Sequence, residues 1–293
     1  MYANIFATIA PILICIGTGY FWARLKKPFD IEFVSSLISY IGAPCLVIVS
    51  LTTVELTAET LLRIAGATFF ITVTIGVMGA IGLRLAGLDI RVYLPSLMFG
   101  NIGNMGLSLC LFAFGEKGLA MGIAYFASLS VLHFTIGISI VQGVSKKQLL
   151  HLFIDPIVIS IGVAIFLMVT GIKLPVYLFN SLKLLGGLTI PLMLLTLGVS
   201  LNRLAISNLP RSIFFGGLRI ALGFFIGLAA VILFHLEGNV RGVVLIQSSM
   251  PVAVYNYLFA LRYNRSPDEV AGIVVFSTLL SFLMLPPLLL FIF

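Results

Sequence analysis

Gly100-Asn101-Ile102-Gly103-Asn104-Met105-Gly106 interrupts one long apolar run, and Gln247-Ser248-Ser249-Met250-Pro251, with Asn256 beyond it, interrupts another. A gapless shift of 150 residues lays Arg91 on Arg241, Asn101 on Pro251 and Gly122 on Gly272. Membrane helices avoid such groups, because backbone freed in hydrocarbon must be satisfied by protein or by cavity water. Two broken spans at matching places of two halves point to the binding site of a transporter.

The rest of the chain fits that reading. Of 293 residues 60% are hydrophobic and 9% charged, against about 25% charged in a soluble domain. Apolar runs reach the ~20 residues needed to cross a bilayer ten times, roughly at 2–22, 33–53, 62–86, 92–114, 118–142, 153–171, 176–200, 211–234, 241–263 and 269–292. The connections are too short for a second, soluble domain. The expected fold is an all-α membrane protein with ten transmembrane helices, the fourth and ninth broken.

The net charge of +7 does not come from one basic patch. Arg24, Lys26, Lys27, Arg84, Arg91, Lys146, Lys147, Arg203, Arg211, Arg262 and Arg265 fall at alternate connections. Arg63, Lys117, Lys173, Lys183 and Arg241 fall at the others, and Arg219 lies inside the eighth span. By the positive-inside rule the larger set is cytoplasmic and both termini face outward. The basic surplus then serves orientation and anionic lipid head groups, so no nucleic-acid partner is expected. Tyr2–Trp22 has no Lys or Arg before it and three soon after, the reverse of a cleavable signal, so it reads as a retained first span of a cell (inner) membrane protein. Cys15, Cys45 and Cys110 share no metal-ligand spacing and read as packing residues.

Further pairs support duplication. Ala10-Pro11-Ile12 resembles Asp155-Pro156-Ile157, and Pro44 corresponds to Pro191. Residues 1–145 and 146–293 would each hold five spans; five is odd, so the second copy inserts upside down. Inverted repeats of this kind give near-equivalent outward-open and inward-open states.

Pro251 removes an amide donor and clashes with the carbonyl four residues earlier, which is expected to free the Gln247 carbonyl beside Ser248 and Ser249. Gly100, Gly103 and Gly106 loosen the helix around Asn101 and Asn104. The half-helices so formed carry partial positive charge at their N-termini and partial negative charge at their C-termini. An anion suits the first and a cation the second, and asparagine offers both donors and acceptors. The candidate substrate contacts are Gly100, Asn101, Gly103, Asn104, Gln247, Ser248, Ser249, Pro251 and Asn256. Glycine packing and a simple proline kink are the structural alternative for either segment alone.

All ten acidic residues lie near span ends, so a carboxylate proton relay is not expected and a cationic substrate would lack a counter-charge. Arg219 is read as snorkelling or structurally paired, with substrate neutralisation as the other role. His133 is read as a packing histidine rather than a proton carrier. Ser277 and Ser281 share a helix face and either line the cavity or bond back to their own helix. No nucleotide loop, metal cluster or catalytic constellation is present, so neither an enzyme nor an ATP-driven pump is expected, and no cofactor beyond a coupling ion, Na+ or H+.

Gly100-Asn101 through Asn104-Met105-Gly106-Leu107, Met250-Pro251 through Phe259-Ala260 with Tyr263-Asn264, and Ile190-Pro191 through Leu197-Gly198-Val199-Ser200-Leu201, in that family's order along the chain, resemble the auxin efflux carrier family, a branch of the group that includes bile acid–sodium symporters. The resemblance implies inverted five-helix repeats whose spans four and nine cross at their breaks. It implies a scaffold of spans 1, 2, 6 and 7, an elevator-like mobile region of spans 3–5 and 8–10, and a homodimer. It implies organic-acid substrates, with Asn101 contacting substrate and Pro251 forming the span-nine crossover. Ser108 and Asn256 stand where many relatives have proline, and the long cytoplasmic loop of plant carriers is missing; these departures disfavour auxin itself.

The expectation is a secondary carrier of a small mono- or dicarboxylate working by alternating access, in the efflux direction. An inside-negative potential, at about 2.3 kcal/mol per charge per 100 mV, is sufficient to drive it. The rivals are a sodium-coupled importer of an amphipathic acid and a non-transporting sensor or partner subunit.

Overall fold

The computed structural model describes residues 2–54, 56–142, 155–204 and 207–293. Glu55, Lys146, Lys147 and the boundary between the expected halves lie outside the described residues. The described chain is helical throughout: α1 (Tyr2–Arg24), α2 (Ile31–Thr53), α3 (Ala58–Leu85), α4 (Ile90–Met98), α5 (102–114), α6 (116–141), α7 (Pro156–Thr170), α8 (Val176–Arg203), α9 (Leu209–Leu233), α10 (Gly238–Ser248), α11 (Val254–Arg262) and α12 (Pro267–Ile292).

Among the described residues, seven stretches are long and apolar enough to cross a membrane: α1, α2, α3, the joined α5 and α6, α8, α9 and α12. The joined stretch, 40 residues from Ile102 to Val141, is two arms. Gly115 has φ 64° and ψ −157°, which only glycine adopts freely. A Cβ placed on Gly122 would lie 3.2 Å from the Cys110 Cβ, although twelve residues of straight helix would separate the two by about 18 Å. The chain therefore doubles back at Gly115. The runs expected at 92–114 and 241–263 fall short of spanning length as single helices because each is split, into α4 and α5 and into α10 and α11.

Prolines shape two more helices. Pro44 and Pro191 each deprive a helix of one amide donor, and just upstream the backbone widens to a π-helical turn at Ile38–Gly42 in α2 and breaks at Leu188 in α8. These irregular points meet, since a Cβ on Gly42 would lie 2.6 Å from Thr189 Oγ1. Pro11, by contrast, sits inside α1, while Pro156 is the first residue of α7.

Two packing groups result. α1 packs on α8, and α2 on both α7 and α8. The second group joins α3, α4, the α5–α6 hairpin and α9 to α12, with α12 laid along α9 and α10 against the hairpin. Large apolar side chains such as Phe6, Phe69, Phe166 and Leu283 remain exposed, which suits helices whose outer faces meet lipid.

The connections sort to two ends. At one, Arg203 donates to the Phe29 carbonyl (2.9 Å), and Arg211 lies 3.4 Å from Glu269 with Tyr93 bonded to both. At the other, Arg63 donates to the His235 carbonyl (3.3 Å), Arg241 lies over the Phe291 ring and Phe114 meets Phe293. The first end collects connections that are rich in Arg and Lys.

Candidate functional site

The two interruptions touch. Between α4 and α5 the backbone is extended at Phe99 and opens at Asn101; between α10 and α11 it is extended up to Ala253. The segments run antiparallel and pair as a single β-bridge between Gly100 and Val252. The Asn101 amide donates to the Pro251 carbonyl (2.6 Å), and the Ala253 amide donates to the Phe99 carbonyl (3.1 Å). Each break thus satisfies backbone that the other frees, as hydrocarbon surroundings demand. Gly100 is required by close approach: a Cβ there would collide with Arg219 Nη2 and lie 3.1 Å from the Met250 carbonyl oxygen.

Polar side chains complete the junction. Asn256 Nδ2 donates to the Pro95 and Phe99 carbonyls (3.2 and 3.0 Å), tying α11 to the carbonyl end of α4. Ser277 Oγ accepts the Val252 amide (3.0 Å) and donates to Val274. Ser281 donates to the Thr278 carbonyl. Gln247 Nε2 donates to the Gly122 carbonyl (3.3 Å), and Ser248 bonds back to Leu245.

On one face of the crossing lies a cavity of about 280 Å³, walled by α2, α8, the first turn of α5, α6 and the first turn of α11. It contains Gly100, Asn101, Gly103, Asn104 and His133 from the sequence candidates. Neither α5 nor α11 has a side-chain cap at its N-terminus, and Gly103, Asn104, Val254 and Tyr255 of those first turns all face the cavity. Asn101 Nδ2 and Thr196 Oγ1 are buried there without a hydrogen-bond partner among the described residues. Ser39 and Tyr255 meet across it at 3.4 Å. His133 is stacked on Phe99 (4.1 Å between centroids) and edge-on to Phe259. Arg203 and Asp155 mark the mouth, at the end rich in basic residues.

The other sequence candidates lie off the cavity wall. Gln247, Ser248, Ser249, Pro251 and Asn256 are buried at the crossing; Gln247 Nε2, Ser248 Oγ and Asn256 Nδ2 bond backbone there, while Gln247 Oε1, Ser249 Oγ and Asn256 Oδ1 have no hydrogen-bond partner among the described residues. The Gln247 carbonyl is not freed by Pro251, since it accepts from Ser249 and Met250. Ser277 and Ser281 take the helix-bonding alternative. Arg219 does not snorkel: it is 2% exposed and in no ion pair among the described residues. Thr196, Ser200, Ser35 and Ser39, which the sequence reading missed, belong to the wall. Their signal was the i, i+4 spacing of hydroxyls on α2 and α8.

The sequence model of a family described as "Membrane transport protein" matches residues 139–289. An uncharacterized transporter of Methanocaldococcus jannaschii is 25% identical over 294 residues, covering 94% of each chain. An uncharacterized transporter of Methanothermobacter thermautotrophicus is 24% identical over 294 residues, covering 95% of each.

Proposed function

Because the chain belongs to the membrane transport protein family, that of the auxin efflux carriers, we propose that this membrane transporter is a secondary carrier of small organic anions, bound at the crossing of its two broken helices. The observation that carries the reading is the pair of uncapped helix N-termini, of α5 and α11, converging on one cavity beside the side-chain Nδ2 of Asn101, which has no partner among the described residues. Each N-terminus is worth roughly half a positive charge, so together they complement one carboxylate. The mainly apolar remainder of the wall suits the carbon skeleton of an organic acid, and among the described residues the cavity's one acidic side chain, Asp155, lies at the mouth with Arg203, which disfavours a cation.

In this reading α4 with α5, and α10 with α11, are the fourth and ninth of ten passes in two inverted repeats. The group of α1, α2, α7 and α8 is the scaffold, and the rest moves against it. With the basic end in the cytoplasm, both termini face outward and the cavity opens inward. That geometry suits loading from the cytoplasm and efflux down an inside-negative potential.

The test uses purified protein in liposomes with an imposed potential and radiolabelled mono- and dicarboxylates. At least one acid should show potential-driven flux and should raise the melting temperature in detergent by mass action. Asn101→Ala should cut that flux about ten-fold or more, the worth of one hydrogen bond to a charged group, while unfolding at nearly the wild-type temperature. Undiminished flux in Asn101→Ala would sink the site, and absence of flux for every acid would favour a sensor.

A further inference from the structure

Arg219 lies against Gly100 at the crossing but does not line the cavity. It is 2% exposed, and its Nε and Nη1 have no hydrogen-bond partner among the described residues. Two glycines locate its guanidinium. The Gly100 backbone is so close that a Cβ would strike Arg219 Nη2 and come within 3.1 Å of the Met250 carbonyl oxygen. A Cβ on Gly223, one turn along α9, would lie 2.8 Å from Arg219 Nη1 and would strike the Ser248 carbonyl oxygen. The guanidinium therefore sits among the carbonyls where α10 ends, next to the end of α4. No carboxylate pairs with it among the described residues.

Charge accounting explains how a lone buried cation is tolerated there. A helix C-terminus carries roughly half a negative charge, and the C-termini of α4 and α10 meet at the crossing, so about one negative charge faces one guanidinium. In transporters built on broken helices, unwound carbonyls and half-helix C-terminal ends are where a coupling cation is held. We propose that Arg219 is a tethered replacement for that cation, so that this crossing needs no sodium and the carrier works without it. The inference rests on the carrier reading for its use, but its test needs no substrate.

The experiment compares the melting temperature of the purified full-length protein in detergent in NaCl, KCl and choline chloride at equal ionic strength. Wild type and Arg219→Lys should show no sodium-specific shift. Arg219→Met and Arg219→Gln, which leave the carbonyl ends uncompensated, should melt lower in choline chloride and recover about 5 °C or more, saturably, with sodium or potassium. A saturable sodium shift in wild type overturns the proposal, as does a neutral variant that folds with wild-type stability and no cation response. Sodium gluconate against NaCl covers the remaining role for an unpaired guanidinium: a chloride shift in wild type that Arg219→Met abolishes makes it an anion site instead. If neither neutral variant folds, wild type and Arg219→Lys still decide, because cation-insensitive folding of both is required. Loss of acid-dependent flux with these ion results intact would remove the carrier reading and leave the electrostatic one.

Discussion

Asn101 commits its backbone and leaves its side chain for the cavity. Its backbone amide is given to Pro251 and its carbonyl accepts from Met105 and Gly106, while Nδ2 has no partner among the described residues. If the site recognises negative charge, Asn101→Asp should be far more harmful than Asn101→Ala. It keeps the shape, but a carboxylate within 4 Å of the bound one costs several kcal/mol at an effective dielectric constant near 20. Isothermal binding of an acid identified by thermal shift should fall a hundred-fold or more in the Asp variant, and equal losses in the two variants would mean that shape alone matters. Gly100→Ala acts differently, because its methyl meets Arg219 and the Met250 carbonyl. Overpacking of this kind should destabilise by about 1–3 kcal/mol, read as a lower melting temperature with or without ligand. At this scale the sequence showed the first break well and the second poorly. Polar residues mark both breaks, but in the second they precede it, and a helix that ends there needs them to satisfy its own carbonyl end. At the start of α11 the cavity is lined by Val254 and Tyr255, where no side chain caps the helix, so a pattern of polar side chains does not mark it.

Among the elements, the crossing is held from behind by α12. Ser277 supplies the acceptor for the Val252 amide (3.0 Å), a donor left over where α10 stops. Ser277→Ala strands that amide in a buried place, at a cost of about 1–3 kcal/mol. Ser281, one turn on, bonds its own helix carbonyl and the Met105 sulfur among the described residues, so Ser281→Ala strands no backbone donor and should cost less than Ser277→Ala. Thermal unfolding of the two variants side by side tests the bridge, and equal stabilities would mean that the Val252 amide finds another acceptor. Composition made the helices legible and proline with glycine made their breaks legible. The hairpin at Gly115 was expected as a connection between spans, and its turn is so tight that the single residue Gly115 separates the helical arms 102–114 and 116–141. What composition could not show is which face of a broken helix looks into a cavity, because that depends on the partner helix and on the direction of its chain.

For the whole molecule, the cavity lies between the two packing groups, with α2 and α8 on one side and α5, α6 and α11 on the other. If the groups move against each other during transport, a tether across the cavity should stop flux without disturbing either group. Ser39 on α2 and Tyr255 on α11 approach to 3.4 Å there. The pair Ser39→Cys and Tyr255→Cys, in a background lacking Cys15, Cys45 and Cys110, can be joined by a short bifunctional thiol reagent that replaces the reach of the tyrosine ring. Cross-linking should abolish acid flux in liposomes and reductive cleavage of the linker should restore it, while either cysteine alone, treated in the same way, keeps its flux. A second tether between α2 and α8, whose irregular points meet at Gly42 and Thr189, lies within one group and should leave flux unchanged. Alternating access requires the two tethers to differ. Equal inhibition by both would mean that the groups do not separate along this boundary, and a fully active cross-linked Ser39–Tyr255 protein would mean that the cavity wall does not move at all.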